Sequence, residues 1–159
     1  MKLTKLFSIE CIESITDCDG MPAVIRQLIG GLVKANRIDP QSAPPLIDEL
    51  DSRERLVTSA LGKGFAFPHL RTRMVDQFTG AIGVAANGLH LDSLDGLPTK
   101  LILLVLSPWD QREVHLGILS RLVHMVDDKV VTLRMHHEFC DQDIWNYLHD
   151  IDALRESNK

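Results

Sequence analysis

Lys100-Leu101-Ile102-Leu103-Leu104-Val105-Leu106 is the stretch that decides the fold. Six consecutive apolar residues are too few to cross a bilayer and too uniform for a strand with one wet face. Such a run suits a central strand covered on both sides, so helices must lie above and below a sheet. Upstream, Phe78 to Ala86 alternates weakly and reads as a second strand. Between the two, Asn87-Gly88, Asp95-Gly96 and Pro98 supply turn chemistry around a brief extended piece, Leu89-His90-Leu91, which predicts a hairpin or a wide loop.

Downstream, Ser107-Pro108-Trp109-Asp110 ends the run. From about Arg112 to Asp127, His115, Leu119, Leu122 and Val126 recur at steps of three and four, with Ile118 and Val123 beside them. That period predicts a helix with His115 facing inward in its first turn. Lys129 to Leu133 is a further strand candidate, and Asp141 to Ile151 predicts a last helix burying Ile144, Leu148 and Ile151, flanked by Trp145 and Tyr147. Toward the N-terminus, Val24, Ile25, Leu28, Ile29, Leu32 and Val33 mark a helix over Pro22 to Asn36, signalled by Asp19-Gly20. Another helix is predicted to open at Asp39-Pro40, carry Ala43, Leu46, Ile47 and Leu50 inward with Pro44 and Pro45 in its first turn, and end in the charged segment Asp51 to Arg55.

Next comes Gly62-Lys63-Gly64-Phe65-Ala66-Phe67-Pro68-His69, a glycine-flanked short strand whose Phe65 and Phe67 share one face. Proline cannot donate to a ladder, so Pro68 is expected to stop the strand and leave His69 on a loop. Helices alternating with short strands predict an α/β fold: a single domain over residues 1–159, core about 5–151, with a central mixed sheet flanked by helices on both faces.

Composition bounds the function. With 159 residues, 45% apolar, 25% charged, a net charge of -5 and a pI near 5.7, the chain reads as a soluble globular protein that repels phosphate backbones, so no nucleic-acid partner is expected. Cys11, Cys18 and Cys140 form no C-x-x-C pair and read as free thiols in a reducing cytosol. The N-terminal MKLTKLFSIECIES has no continuous apolar core of signal-peptide length, which predicts a cytoplasmic protein with no direct membrane insertion.

Several motifs fall away on inspection. Gly62-Lys63-Gly64 is no phosphate loop, because Val57 stands where the first glycine is needed and Gly64 where a Ser or Thr is needed. His136-His137 has no third ligand at a recognisable spacing, and His124 lies nine residues from His115 rather than four. No G-x-S-x-G elbow is present. What remains is His69 and His115 with Arg53. A neutral imidazole nitrogen is a competent nucleophile toward phosphorus. A loose phosphoryl transition state spreads charge over three equatorial oxygens and needs donors aimed at them more than it needs a base. A second imidazole at a helix N-terminus supplies such a donor, and Arg53 adds a guanidinium clamp. A general-base role for His69 in unrelated chemistry lacks an evident carboxylate orienter.

Ser52-Arg53-Glu54, Thr58, Gly62, Gly64 and Phe65-Ala66-Phe67-Pro68-His69 together resemble the R-E…T…G-x-A-x-P-H signature of the fructose/mannitol-type enzyme IIA of the bacterial sugar phosphotransferase system. The resemblance continues through Gly88-Leu89-His90-Leu91, Asp95-Gly96-Leu97-Pro98, the run from Leu101 to Pro108, and His115-Leu116-x-x-Leu119. It implies a mixed five-stranded sheet and a phosphohistidine relay, a phosphotransferase activity in which His69 is phosphorylated, His115 stabilises the phosphoryl group and Arg53 gives electrostatic support. It also implies an HPr-type phosphocarrier as donor and a IIB domain or regulatory target proteins as partners, with no metal or organic cofactor. The sequence departs from the family at Leu70, where a small residue is common, at Arg71, and at His90, where the family has a bulky apolar residue; these positions leave the choice of partner open. No IIB or IIC part accompanies the chain. Together with the Leu-Ser-Pro-x-x-Gln stretch, that points toward a nitrogen-type regulatory IIA, the alternatives being a free-standing transport component or a non-catalytic docking regulator.

Overall fold

The computed structural model describes residues 1–129 and 140–157. Its frame is one mixed sheet of β1 (Ile12–Ser14), β2 (Ala60–Gly62), β3 (Phe65–Ala66), β4 (His69–Thr72), β5 (Thr79–Leu89) and β6 (Thr99–Pro108), in the order β1-β5-β6-β3-β2 with β4 also on β6. β5 and β6 pair antiparallel, as do β2 and β3, while β1 on β5 and both β3 and β4 on β6 are parallel. The strand expected at Phe78 to Ala86 thus runs on to Leu89, and residues between it and Thr99 form a wide loop.

Among the described residues the sheet has six strands where about five were expected, and His69 opens a strand rather than sitting on a loop. Both corrections have one cause. β3 and β4 share a single lane along β6, from Phe65 opposite Leu101 to Thr72 opposite Pro108, with no change of register. Pro68 lacks an N–H and breaks the pairing, but its carbonyl accepts the Val105 N–H at 2.9 Å, so the chain keeps its lane and resumes at His69.

Among the described residues five α-helices cover the sheet: α1 (Leu3–Leu6), α2 (Gly20–Lys34), α3 (Ala43–Leu56), α4 (Arg112–Val126) and α5 (Asp141–Ser157). Pro44 and Pro45 fall in the first turn of α3, where their missing N–H groups cost no helical bond. Residues along β6 divide by parity, as a pleated strand requires. Ile102, Leu104 and Leu106 pack with the buried stripes of α2 and α3, while Leu101, Leu103 and Val105 pack with α1, α4 and α5. Ile144 and Leu148 of α5 are buried as expected, and Ile151 is half-buried. In α4 the buried stripe is His115, Ile118, Leu122 and Met125; Leu119 and Val126 are only half-buried and Val123 is exposed, so the helix is turned slightly from the expected face. The strand predicted at 129–133 lies outside the described residues apart from Lys129, as does the His136-His137 doublet.

One ionic clamp ties the layer on the α4 side together. Asp152 of α5, 6% exposed, accepts from the Leu3 N–H at 2.8 Å, the Thr4 N–H at 2.9 Å, the Thr4 hydroxyl at 2.8 Å and Arg121 Nη2 of α4 at 2.8 Å. It therefore caps α1 from another helix. Burial works to raise its pKa, but the bonds from Thr4, Arg121 and Leu3 outweigh it, and the carboxyl is held below the usual range. A depressed carboxylate contributes stability that is present at neutral pH and lost as pH falls through the folded value. Asp152→Ala is expected to cost about 2–4 kcal/mol, because it strands Arg121 and two helix N–H groups. Urea unfolding at pH 7 measures this, and a loss below about 0.5 kcal/mol, the range of an ordinary surface change, contradicts it.

Candidate functional site

The face-sharing that builds the core also builds the site. Phe65 and Phe67 lie on the α4 side of the sheet with ring centroids 5.9 Å apart, and the alternation along their lane carries His69 to that side as well. In the neighbouring lane the row Leu101, Leu103, Val105 continues to Ser107, the first polar residue in it. α4 crosses above and lowers His115 onto both rows. The His115 and His69 ring centroids are 5.5 Å apart with the planes tilted by 48°.

Each ring is fixed by its Nδ1. His69 Nδ1 lies 2.8 Å from the Phe67 carbonyl oxygen. A carbonyl only accepts, so Nδ1 carries the proton and Nε2 presents a bare lone pair. His115 is 5% exposed, and its Nδ1 lies 2.7 Å from the buried Ser107 hydroxyl. Its backbone N–H already bonds the Gln111 carbonyl at 3.0 Å, so His115 meets the site through its side chain and not through that N–H.

Arg53, in the last turn of α3, lines a cavity of 390 Å³ together with His69, Glu54, Thr58, Ser59 and a collar of Leu56, Val57, Leu61, Phe67, Leu119 and Val123. Its guanidinium has no hydrogen-bonding partner among the described residues and remains available to an incoming group. Of the three residues singled out by sequence, Arg53 and His69 therefore line one cavity, and His115 adjoins it through its contact with the His69 ring. Glu54, notable in the sequence only as part of the signature, holds the backbone behind the site. Its carboxylate accepts from the Ser59 N–H at 2.8 Å and the Thr58 hydroxyl at 3.2 Å. The Ser59 carbonyl in turn accepts the Phe67 N–H at 3.0 Å, so Glu54 braces the strand segment whose carbonyl holds His69.

Ser107 was not among the candidate site residues read from the sequence, although it holds the His115 ring. The available signal was its place as the first polar residue at the carboxyl end of the central strand, where open α/β sheets hold their ligands.

The two histidines are both held toward their neutral forms. Burial depresses His69, the Phe67 carbonyl pulls it back up, Arg53 lowers it again and Glu54 raises it, with a net shift below the ordinary value. Burial, then the fields of His69, Arg71 and Arg53, bring His115 from 6.5 down to about 4. Because the unfolded chain binds this proton first, stability is full above pH 6.5 and declines as pH falls from 6.5 toward 4. In a ring-carbon NMR titration His115 is expected to remain neutral through pH 6; a midpoint near 6.5 contradicts the packing described.

Residues 5–151 match the family model described as phosphoenolpyruvate-dependent sugar phosphotransferase system, EIIA 2. The chain belongs to this family. It is 37% identical over 98 residues to a fructose-specific EIIA component of Haloferax volcanii, a match covering 62% of each chain, so that it spans less than two thirds of that relative. It is 25% identical to a nitrogen regulatory protein of Bradyrhizobium diazoefficiens over 93% of this chain and 95% of that one. Enzyme IIA for mannitol from Escherichia coli, solved in complex with phosphorylated enzyme IIB, shares the fold with a TM-score of 0.72 at 19% identity, covering 91% of this chain and 99% of that one. The members named here are phosphotransfer and nitrogen-regulatory proteins, and the chain accordingly carries a phosphocarrier's fold and a phosphocarrier's signature. No helix among the described residues is long and apolar enough to cross a membrane, and no cluster of three or more His, Cys, Asp or Glu among them has metal-holding geometry.

Proposed function

We propose that the chain works in the cytoplasm as one IIA domain that takes a phosphoryl group from an HPr-type donor onto Nε2 of His69, and that its phosphorylation state is used for regulation. The observation that carries this is the fixing of the His69 ring by the Phe67 carbonyl, which leaves Nε2 as the open nitrogen at the mouth. Nε2 attacks phosphorus in line as the donor's P–N bond breaks, and the donor imidazole leaves. With Ser107 donating its hydroxyl proton to His115 Nδ1, the second ring carries its own proton on Nε2 and offers it to an equatorial oxygen. Arg53 supplies a charge-assisted donor from the other side. Depressed pKa values serve both roles, since a neutral His69 is the nucleophile and a neutral His115 adds no positive ring beside it. No metal or organic cofactor enters these steps.

Regulation is favoured over transport because the likeness to a nitrogen regulatory protein runs over 93% of the chain. One observation favours the second reading, a transport component: the 37% identity to a fructose-specific EIIA. That reading makes a IIB domain the acceptor, the partner that the mannitol IIA holds in its complex. Incubation with phosphoenolpyruvate, enzyme I and HPr should add one phosphoryl group to the intact mass, labile in acid and stable in base. A protein that gains nothing overturns the phosphocarrier reading. Discharge of the charged protein by a fructose- or mannitol-type IIB domain decides for transport.

A further inference from the structure

Beyond the cavity, on the far flank of His69, lies a cluster that takes no chemical part in the phosphoryl steps above, although the field of Arg71 reaches His115. Arg71 follows His69 at the next same-side position of β4, opposite Ser107, and Arg73 comes just after the strand ends. The Arg71 guanidinium carbon lies 4.9 Å from the Trp109 ring centroid and that of Arg73 lies 5.9 Å away. Arg71 Nη1 also donates to the Trp109 carbonyl at 2.9 Å, and Trp109 is 51% exposed. Among the described residues neither arginine forms an ion pair, in a chain whose net charge is -5.

We propose that the Arg71-Trp109-Arg73 platform docks an acidic peptide segment of a protein that approaches His69. A guanidinium held against an indole keeps its N–H edge free and is already ordered, so it loses little side-chain freedom when a carboxylate arrives. The platform lies on an open rim and not in an enclosed pocket. The adjoining cavity of 360 Å³ is lined by Asp76 and Asp110 as well as Arg73, and those carboxylates repel a small anion seeking the interior. Carboxylates spaced along a peptide can instead meet the two guanidiniums from outside while the indole covers the apolar stem between them.

The probe is hexaglutamate, followed by the Trp109 indole N–H resonance, which Trp145→Phe assigns. Hexaglutamate is expected to shift it saturably and hexaglutamine to leave it in place. Arg71→Gln/Arg73→Gln should weaken binding by about two- to fivefold for each guanidinium lost. Arg71→Lys/Arg73→Lys should fall between, keeping charge without the plane. No shift, an equal shift with hexaglutamine, or unchanged affinity in the Gln variant overturns the platform. The link to His69 rests on the phosphocarrier reading and has its own readout. Hexaglutamate at saturation should slow charging of the wild type but not of the Gln variant, and a wild type indifferent to it overturns docking beside His69. A wild type that never charges refutes the phosphocarrier reading, while the resonance shift still judges the platform.

Discussion

His69→Gln, offered to phosphoenolpyruvate, enzyme I and HPr, is expected to show no gain in mass under conditions that charge the wild type completely. Glutamine is chosen because it is uncharged and fills much of the space of the imidazole, its amide reaching the position of Nε2 rather than that of the Nδ1 which now meets the Phe67 carbonyl at 2.8 Å. His69 is only half-buried, so water can meet the Phe67 carbonyl in its place and the thermal midpoint should remain within a few degrees of wild type. What the variant lacks is a nitrogen lone pair, since an amide nitrogen is not nucleophilic. His115 cannot take over, because it is buried, its Nδ1 is engaged by Ser107 and its Nε2 then carries the proton. A His69→Gln protein that gains an acid-labile phosphoryl group at the wild-type rate sinks the assignment of the site. One that fails to charge and also unfolds at a much lower temperature leaves the shorter Asn variant to separate chemistry from folding.

Much of this site is legible in the sequence because a strand's period of two carries information a long way. Once Phe65 and Phe67 are assigned to one face, His69 has to follow them. Once Leu101, Leu103 and Val105 are recognised as a row, Ser107 is its continuation. Sequence pattern also places His115 inward near the start of α4, and burial bears that out. It does not place the lane itself. Pro68 reads locally as a stop, and only the Val105 N–H bonded to its carbonyl reveals that the chain continues along β6. That bond joins residues far apart in sequence, and no local propensity encodes it. The rotation of α4 escapes for a similar reason. Leu119 and Val123 have the spacing of core residues, yet they line the cavity beside His69 instead of the core. Glu54 reads as one more charge in a charged run because its partners, Ser59 and Thr58, lie beyond the helix end.

His115→Ala is expected to slow single-turnover charging of His69 by about 10²- to 10³-fold, the range seen when one preorganised oxyanion donor is removed. Apparent affinity for the donor protein should change little, since His115 is buried beneath the surface that a partner touches. A merely structural role predicts something else. Losing the ring leaves the Ser107 hydroxyl without its partner in a buried place, which costs about 1–3 kcal/mol of stability whatever the chemistry. Stability alone therefore cannot separate the two, and a pair of amides does. Glutamine places an N–H2 group near the position of imidazole Nε2, while asparagine reaches only as far as Nδ1. If His115 acts by donating Nε2–H to a phosphoryl oxygen, His115→Gln regains a large part of the lost rate and His115→Asn does not, even where Asn restores the bond to Ser107. Rapid-quench measurement at saturating phosphorylated donor gives the numbers. A rate that tracks the thermal midpoint across Ala, Asn and Gln, rather than the reach of the amide, defeats the donor role. The pH profile adds an independent check. With His115 brought down to about 4, this ring remains neutral from pH 8 to pH 6, so the rate should show no bend across that span that His115→Gln removes. Were the second ring protonated in that range, its positive charge would draw the His69 lone pair and raise the phosphoryl-binding strength together, and the profile would bend near 6.5.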